Sequence, residues 1–358
     1  NHFDRTWPMT FWTAGAAWAA HFYYDYWLYT GDMKFLKERA LPFMKEAALF
    51  YEDVLIEGSD GRYVFSPSYS PENAPRNTKS QAVINATMDI ALAHDLLTNL
   101  ISICNELGWE KESVARWTRM LEKMPEYKIN PDGAVQEWSW PGLDDDYQHR
   151  HNSHLVAIFD GVPSDIAGNP GLIAAFRKAL ELRMQYRRRQ TYREMAFGLV
   201  QLGLAATSLR DAATAYEIVD WLANDYWTPA LNSTHEPKKL FNVDICGGLP
   251  AVVIKMLLHS QPGRIDLLPA LPKEWQQGVV EGLPCRGQVM IRSLLWDQNT
   301  IRTVVRSSKA QTIEISVPGK MGRVEIKRGN ARILPAGAAP DRLSLIHISE
   351  PTRQAESS

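Results

Sequence analysis

A large, mainly α-helical domain followed by a small antiparallel β domain is predicted, on three observations. Apolar residues recur at helical spacing in run after run from Phe11 to about residue 259. Short breaks separate those runs, the cadence of stacked helical hairpins. From Gly263 onward the period drops to two: Gln288–Trp296, Thr300–Arg306 and Thr312–Val317 alternate apolar and polar residues, with Asp297-Gln298-Asn299 and Ser307–Ala310 as turns.

Residues 10–30 open the helical part with an aromatic-rich run (Phe11, Trp12, Trp18, Phe22, Tyr23, Tyr26, Trp27) that is apolar nearly all round. Such a helix is expected to be buried on more than one side. Gly31 can end it, and Asp32 can cap the next helix, which runs to about Leu55. Further helices are predicted over 79–107, 110–124, 170–187, 191–207, 210–226 and about 247–259, with no fixed short repeat among them. The expected divisions are a helical domain at 1–261, a β domain at 262–335 and a tail at 336–358. Within that tail Leu343–Arg353 reads as a translated sequencing adapter, so the tail is expected to be disordered or foreign to the fold. The chain starts at Asn1 in what reads as the middle of a fold, and it is expected to be part of a longer gene product.

Composition narrows the function classes. A net charge of −2 gives no electrostatic footprint for nucleic acid. No run reaches the roughly 18 apolar residues of a membrane span. Cys104, Cys246 and Cys285 lie far apart without metal-ligand spacing, and their odd number argues against a disulfide framework. Twelve Trp, 13 Tyr and 11 Phe supply a core and also suit a site that stacks sugar rings.

Three segments carry chemistry. In Phe65-Ser66-Pro67-Ser68-Tyr69-Ser70-Pro71-Glu72-Asn73, the two prolines bar either neighbouring helix from running through, so Glu72 sits on a stiffened, hydroxyl-rich loop. Such a carboxylate is either a solvated surface charge or a group presented for binding or catalysis. The second segment joins Gln136-Glu137-Trp138, an acidic loop (Asp144-Asp145-Asp146) and His149-Arg150-His151-Asn152-Ser153-His154. Its histidines fit neither the His-Glu-x-x-His pattern nor a paired-cysteine zinc pattern, so no metal is assigned. Hydrogen bonding to a polyhydroxylated ligand and a buried polar knot both remain open for it. In the third, Leu240-Phe241-Asn242-Val243-Asp244-Ile245-Cys246-Gly247-Gly248, Asp244 precedes a Gly-Gly pair expected to open a helix. Capping and catalysis are equally open for that acid.

Taken together these segments resemble glycoside hydrolase family 95, whose known members are mostly α-L-fucosidases with some α-L-galactosidases. Asn85-Ala86-Thr87-Met88-Asp89 and Ile265-Asp266-Leu267-Leu268-Pro269-Ala270-Leu271-Pro272 also look like family segments, and the likeness runs from about Trp7 to residue 330. The resemblance implies an incomplete (α/α)6 toroid followed by a small β domain, and an inverting hydrolase that removes terminal α-L-fucose or a related α-L-sugar. By position Glu72 matches the general acid, and Asp244 the carboxylate that activates water through an Asn-x-Asn pair. Arg150 and His151 match residues lining the sugar subsite, with Trp7 a platform. Glu137, His154 and Asn242 are the other candidate sugar-binding residues. The Asn-x-Asn pair falls upstream of residue 1, so this stretch alone is expected to be inactive. No cofactor is implied, the partner is an oligosaccharide or polysaccharide, and the family points to the periplasm or the exterior. Ile245-Cys246-Gly247 stands where many members carry Gly-Asn-Phe-Gly, which leaves an altered substrate open. A phosphorylase, a lyase and a non-catalytic sugar-binding toroid are the rival readings. Phosphate dependence, a Tyr/His base, or affinity without turnover is the respective mark of each.

Overall fold

The computed structural model describes residues 12–189 and 195–318, and the backbone of strands at 320–326, 329–335 and 343–348. Trp7 lies outside the described residues. The chain divides into two compact units, one of residues up to Tyr24 with Lys34–Ile254, the other of Asp25–Met33 with residues from Lys255 onward. The family-independent boundary thus falls near residue 255, beside the 261/262 division expected from the change of period.

Ten helical segments and a few short strands are named in chain order. Helix α1 (Gly15–Thr30) leads to a single turn α2 (Met33–Phe35), a π-helical turn at Leu36–Ala40 and α3 (Leu41–Val54). A two-residue hairpin, β1 (Ile56–Glu57) and β2 (Tyr63–Val64), precedes the long loop that carries Glu72. Then come α4 (Thr87–Leu107), α5 (Lys111–Glu122), the short α6 (Ser164–Ala167), α7 (Pro170–Arg189), α8 (Ala196–Ser208) and α9 (Ala212–Asp225). The hairpin of β3 (Thr234–Glu236) and β4 (Lys239–Phe241) leads into α10 (Asp244–Leu257).

The helical unit is built as pairs: α4 packs on α3 and α5, and α8 on α9 and α7. Its two most buried helices are α4 and α8, whose apolar residues run around most of the circumference. In α1 the expectation of burial on more than one side is met only in part. Ala17, Ala20, Tyr24 and Trp27 recur at helical spacing and face inward, whereas Phe22 and Tyr26 fall off that stripe and are exposed, Phe22 at 62%. Residues 79–86, predicted as helix, are irregular: Val83 exchanges backbone hydrogen bonds with Ser68, and Asn85 takes a left-handed conformation at φ 52°. That conformation breaks a helix, so α4 starts only at Thr87.

In the second unit, β5 (Leu258–Gln261), β6 (Arg264–Leu267), β10 (Gln311–Val317) and β11 (Lys320–Ile326) form one sheet in the order β11-β10-β6-β5. The other runs β13-β12-β9-β8-β7, from β7 (Gly278–Cys285), β8 (Val289–Trp296), β9 (Ile301–Ser307), β12 (Gly329–Pro335) and β13 (Leu343–Ile348). All pairs are antiparallel except β10 with β6, which are parallel across the excursion made by the other sheet. Ile265, Leu267, Cys285, Ile291, Leu294, Trp296, Val305, Ile313 and Ile315 form the core of this unit. A β-bulge between Ile291 and Ser293 shifts the parity of β8, so Ile291 and Leu294 both point inward although three residues apart. The backbone of Leu343–Ile348, expected to be disordered or foreign to the fold, pairs with β12.

Candidate active site

The Glu72 loop is pinned at almost every polar group it owns. Ser68 exchanges two 2.9 Å backbone bonds with Val83, and Phe65 pairs with Asn85 through a backbone bond of 3.0 Å and a side-chain bond of 2.8 Å. The buried serine hydroxyls serve the fold. Ser68 Oγ donates to Asp89 Oδ2 at 2.5 Å, and the Tyr69 N–H donates to the same oxygen at 3.2 Å. Ser70 Oγ donates to Glu137 Oε1 at 2.7 Å, and Asn73 Nδ2 to Glu137 Oε2 at 2.8 Å. Ser153 Oγ donates to the Pro71 carbonyl, and Gln81 Nε2 to the Glu72 carbonyl at 2.8 Å. Two buried carboxylates, Asp89 on α4 and Glu137, therefore hold the loop from below.

What the loop presents outward is Glu72. Its carboxylate pairs with the Arg150 guanidinium, and both side chains keep access to solvent, at 24% and 40% exposure. The Glu72 backbone N–H donates to His151 Nδ1 at 3.1 Å. A ring nitrogen that accepts leaves the proton on the other, so neutral His151 carries its N–H at Nε2. Burial lowers the His151 pKa, against the pull of the Glu72 charge and with help from Arg150 and His235. Sequence reasoning thus placed Glu72, Arg150 and His151 separately, and the fold brings the three into direct contact.

Glu137 and His154 have a different place. Both are buried, and the Glu137 oxygens are taken up by Ser70, Asn73 and, at 2.5 Å, Arg183 Nη2. Burial pushes the Glu137 carboxyl up, against the pull of Arg183. His154 Nδ1 lies 4.0 Å from Glu137 Oε2, and burial holds its ring well below the usual histidine range. They form the polar knot that was one of the two sequence readings for this segment, and they sit beneath the surface that Glu72 faces. His149, pushed down to about 3 by burial and then by His151, Arg150, Arg183 and Arg187, accepts from the His151 N–H at 3.1 Å. His149 and His151 thus each have hydrogen-bond partners within the protein.

Two arginines that the sequence reading missed complete the knot. Arg183 Nη1 donates to the carbonyls of His149 and His151, each at 3.1 Å. Arg187 donates to Tyr147 O at 2.8 Å and to His149 O. Their signal was the spacing on α7: Arg183 and Arg187 continue the buried stripe of Phe176, Ala179 and Leu180. The run Arg187-Arg188-Arg189 masked it, because it reads as a solvated helix end.

Asp244 opens α10. Its N–H donates to Asn242 Oδ1 at 2.7 Å, so the group at the helix start is the Asn242 side chain. Among the described residues none donates to the Asp244 carboxylate, and the residue is half-buried. Asn242 is also tied to Ser233, by its N–H at 3.1 Å and by its carbonyl, which accepts Ser233 Oγ at 2.5 Å. The Gly-Gly pair lies inside the first turns of α10 rather than before it. A Cβ on Gly248 would come within 2.4 Å of Val200 on α8, and one on Gly203 within 2.8 Å of Val252 on α10. These two glycines let α10 lie close against α8.

Helix α8 therefore supports both the His151 segment and the first turns of α10. The His151 ring meets Phe197 edge-on at 5.2 Å, and Asn152 bonds to Gln201 Oε1 (2.6 Å) and the Gly198 carbonyl (3.0 Å). Phe197 and Val200 are one helical turn apart, so the Glu72 group and the start of α10 rest on successive turns of one helix.

With its helical pairs and pinned acidic loop, the first unit falls in the class of carbohydrate-active helical toroids. The chain belongs to glycoside hydrolase family 95: the family's catalytic-domain model matches residues 2–257 and its C-terminal-domain model residues 259–344. It is 29% identical over 307 residues to "Alpha-L-fucosidase 2" of Arabidopsis thaliana, covering 83% of this chain and 36% of that protein. To "Probable alpha-fucosidase A" of Aspergillus niger it is 26% identical over 316 residues, covering 82% and 38%. The chain thus spans a little over a third of the length of the curated relatives it matches. A solved human-microbiome protein, described provisionally as a kojibiose phosphorylase, superposes with a TM-score of 0.50 at 13% identity, over 89% of this chain and 46% of that one. That likeness concerns the fold alone.

Proposed function

We propose that this chain carries the acid and the base of an inverting glycoside hydrolase that releases terminal α-L-fucose, or a related α-L-sugar, from oligosaccharides outside the cytoplasm. The observation that supports it best is a pair of partly accessible acids on segments that pack on successive turns of α8, the Glu72 carboxylate paired with Arg150 and that of Asp244 without a donor among the described residues. Glycoside cleavage by inversion needs that division of labour. One carboxylic acid protonates the departing oxygen, and a carboxylate on the opposite face of the ring takes a proton from water. Glu72 is the acid, Asp244 the base, and Arg150 and the Nε2–H of His151 are donors for sugar hydroxyls. Asp244 acts through the Asn-x-Asn pair that the family resemblance implies.

The test is kinetic, in the enzyme at the full length of its relatives. Glu72→Gln should lose turnover on unactivated fucosides by 10²-fold or more while still binding them, because removing a general acid costs roughly 10²–10⁴ in rate. Asp244→Asn should lose rate with an unchanged melting temperature, since Asn242 holds the start of α10. Full activity in Glu72→Gln would reject the assignment.

A further inference from the structure

The Tyr69 side chain is buried, yet its phenolic oxygen has no hydrogen-bond partner among the described residues. An orphaned buried hydroxyl is costly, and it calls for a partner at some stage of the working cycle. The residue is rigidly placed: its N–H is fixed on Asp89, and Ser68 and Ser70 on either side are each bonded to a buried carboxylate. After burial, the charges acting on the phenol are those of Glu72, which favours the protonated form, and of Arg150, which opposes it. Tyr69 is therefore a buried phenol three residues before Glu72 on the same pinned loop.

We propose that Tyr69 is a positioning residue for the acid: its O–H donates to the Glu72 carboxylate formed when Glu72 gives its proton to the departing sugar oxygen. The inference rests on the glycosidase reading above. In the step itself the C1–O bond breaks, its electron pair goes to the leaving oxygen, and the Glu72 proton joins that oxygen. Water adds to C1 and its proton passes to the base. The proton of Tyr69 stays on the phenol, which burial and the Glu72 charge push up to about 12. Arg150, which pairs with Glu72 before substrate enters, is the donor assigned to sugar hydroxyls.

Tyr69→Phe removes one oxygen from a buried ring and leaves its packing intact. In the full-length enzyme the variant should lose roughly tenfold or more in kcat on an unactivated fucosyl disaccharide, the worth of a hydrogen bond to a charged group. On a nitrophenyl fucoside, whose leaving group needs no proton, it should stay within about twofold. The alkaline limb of its kcat profile, which reports the enzyme with substrate bound, should move to higher pH, because a carboxylate without that donor keeps its proton longer. Melting temperature, measured alongside, should not fall, since the hydroxyl removed has no partner among the described residues. Equal losses on both substrates, or no loss on either with an active wild type, overturn the proposal while sparing the glycosidase reading. A wild type that turns over neither substrate overturns both.

Discussion

Asp89 shows how a single buried residue sets the geometry of the candidate acid. It receives Ser68 Oγ and the Tyr69 N–H, and burial pushes its carboxyl up to about 7, against the effect of those two donors. In the unfolded chain an Asp titrates near 3.9. Below that pH the proton is bound in both states, and the contribution to stability is fully present. As pH rises towards about 7 the unfolded chain releases a proton that the folded one retains, and that contribution is lost. Melting temperatures from pH 4 to 7 should show it: relative to wild type, Asp89→Asn should gain stability as pH rises, and a constant offset would contradict the burial argument. The sequence pointed to Asp89 only as part of Asn85–Asp89, with no role attached, because nothing local to an acid in an apolar helix turn says which loop it will meet. Glu72, by contrast, was legible from its flanking prolines. Glu137 and His154 were legible as polar residues out of place but not as buried ones, since Arg183, the partner of Glu137, lies 46 residues further along the chain.

Among the elements, the contact between α8 and α10 decides where Asp244 points. Gly248→Val would drive side-chain atoms into Val200, where even a Cβ would sit 2.4 Å from it. Overpacking of that kind costs about 1–3 kcal/mol, and the variant should lose activity beyond what its lowered stability explains. Gly247→Ala is the control: nothing lies within 4 Å of its Cβ position, and Ala is the better helix former by about 1 kcal/mol. Denaturant unfolding of the two variants should move in opposite directions. Helices α4, α5, α7, α8 and α9 were readable from their periodicity, because each buries a continuous stripe or its whole circumference. The start of α4 and the place of the Gly-Gly pair were not, because Asn85 in a left-handed conformation and the close packing on α8 are tertiary facts. In the β unit, alternation marked the central strands. The parallel pairing of β10 with β6 joins residues about fifty apart and leaves no local trace.

For the molecule as a whole, the chain holds the pinned loop, the polar knot beneath it and the acid-bearing start of α10 within one helical unit, followed by the unit of two sheets. Membership of glycoside hydrolase family 95 follows from both family models. The proposal needs Glu72 and Asp244, 172 positions apart in sequence (244 − 72), to flank a single pyranose ring. A crystal structure of the full-length Glu72→Gln enzyme with an uncleaved fucosyl oligosaccharide measures this directly. The glycosidic oxygen should lie within hydrogen-bond reach of residue 72, with Asp244 on the opposite face of the ring and the two side-chain carboxyl or amide carbons roughly 6.5–9.5 Å apart. Sugar bound away from residue 72, or the two side chains opening onto separate surfaces, would contradict it.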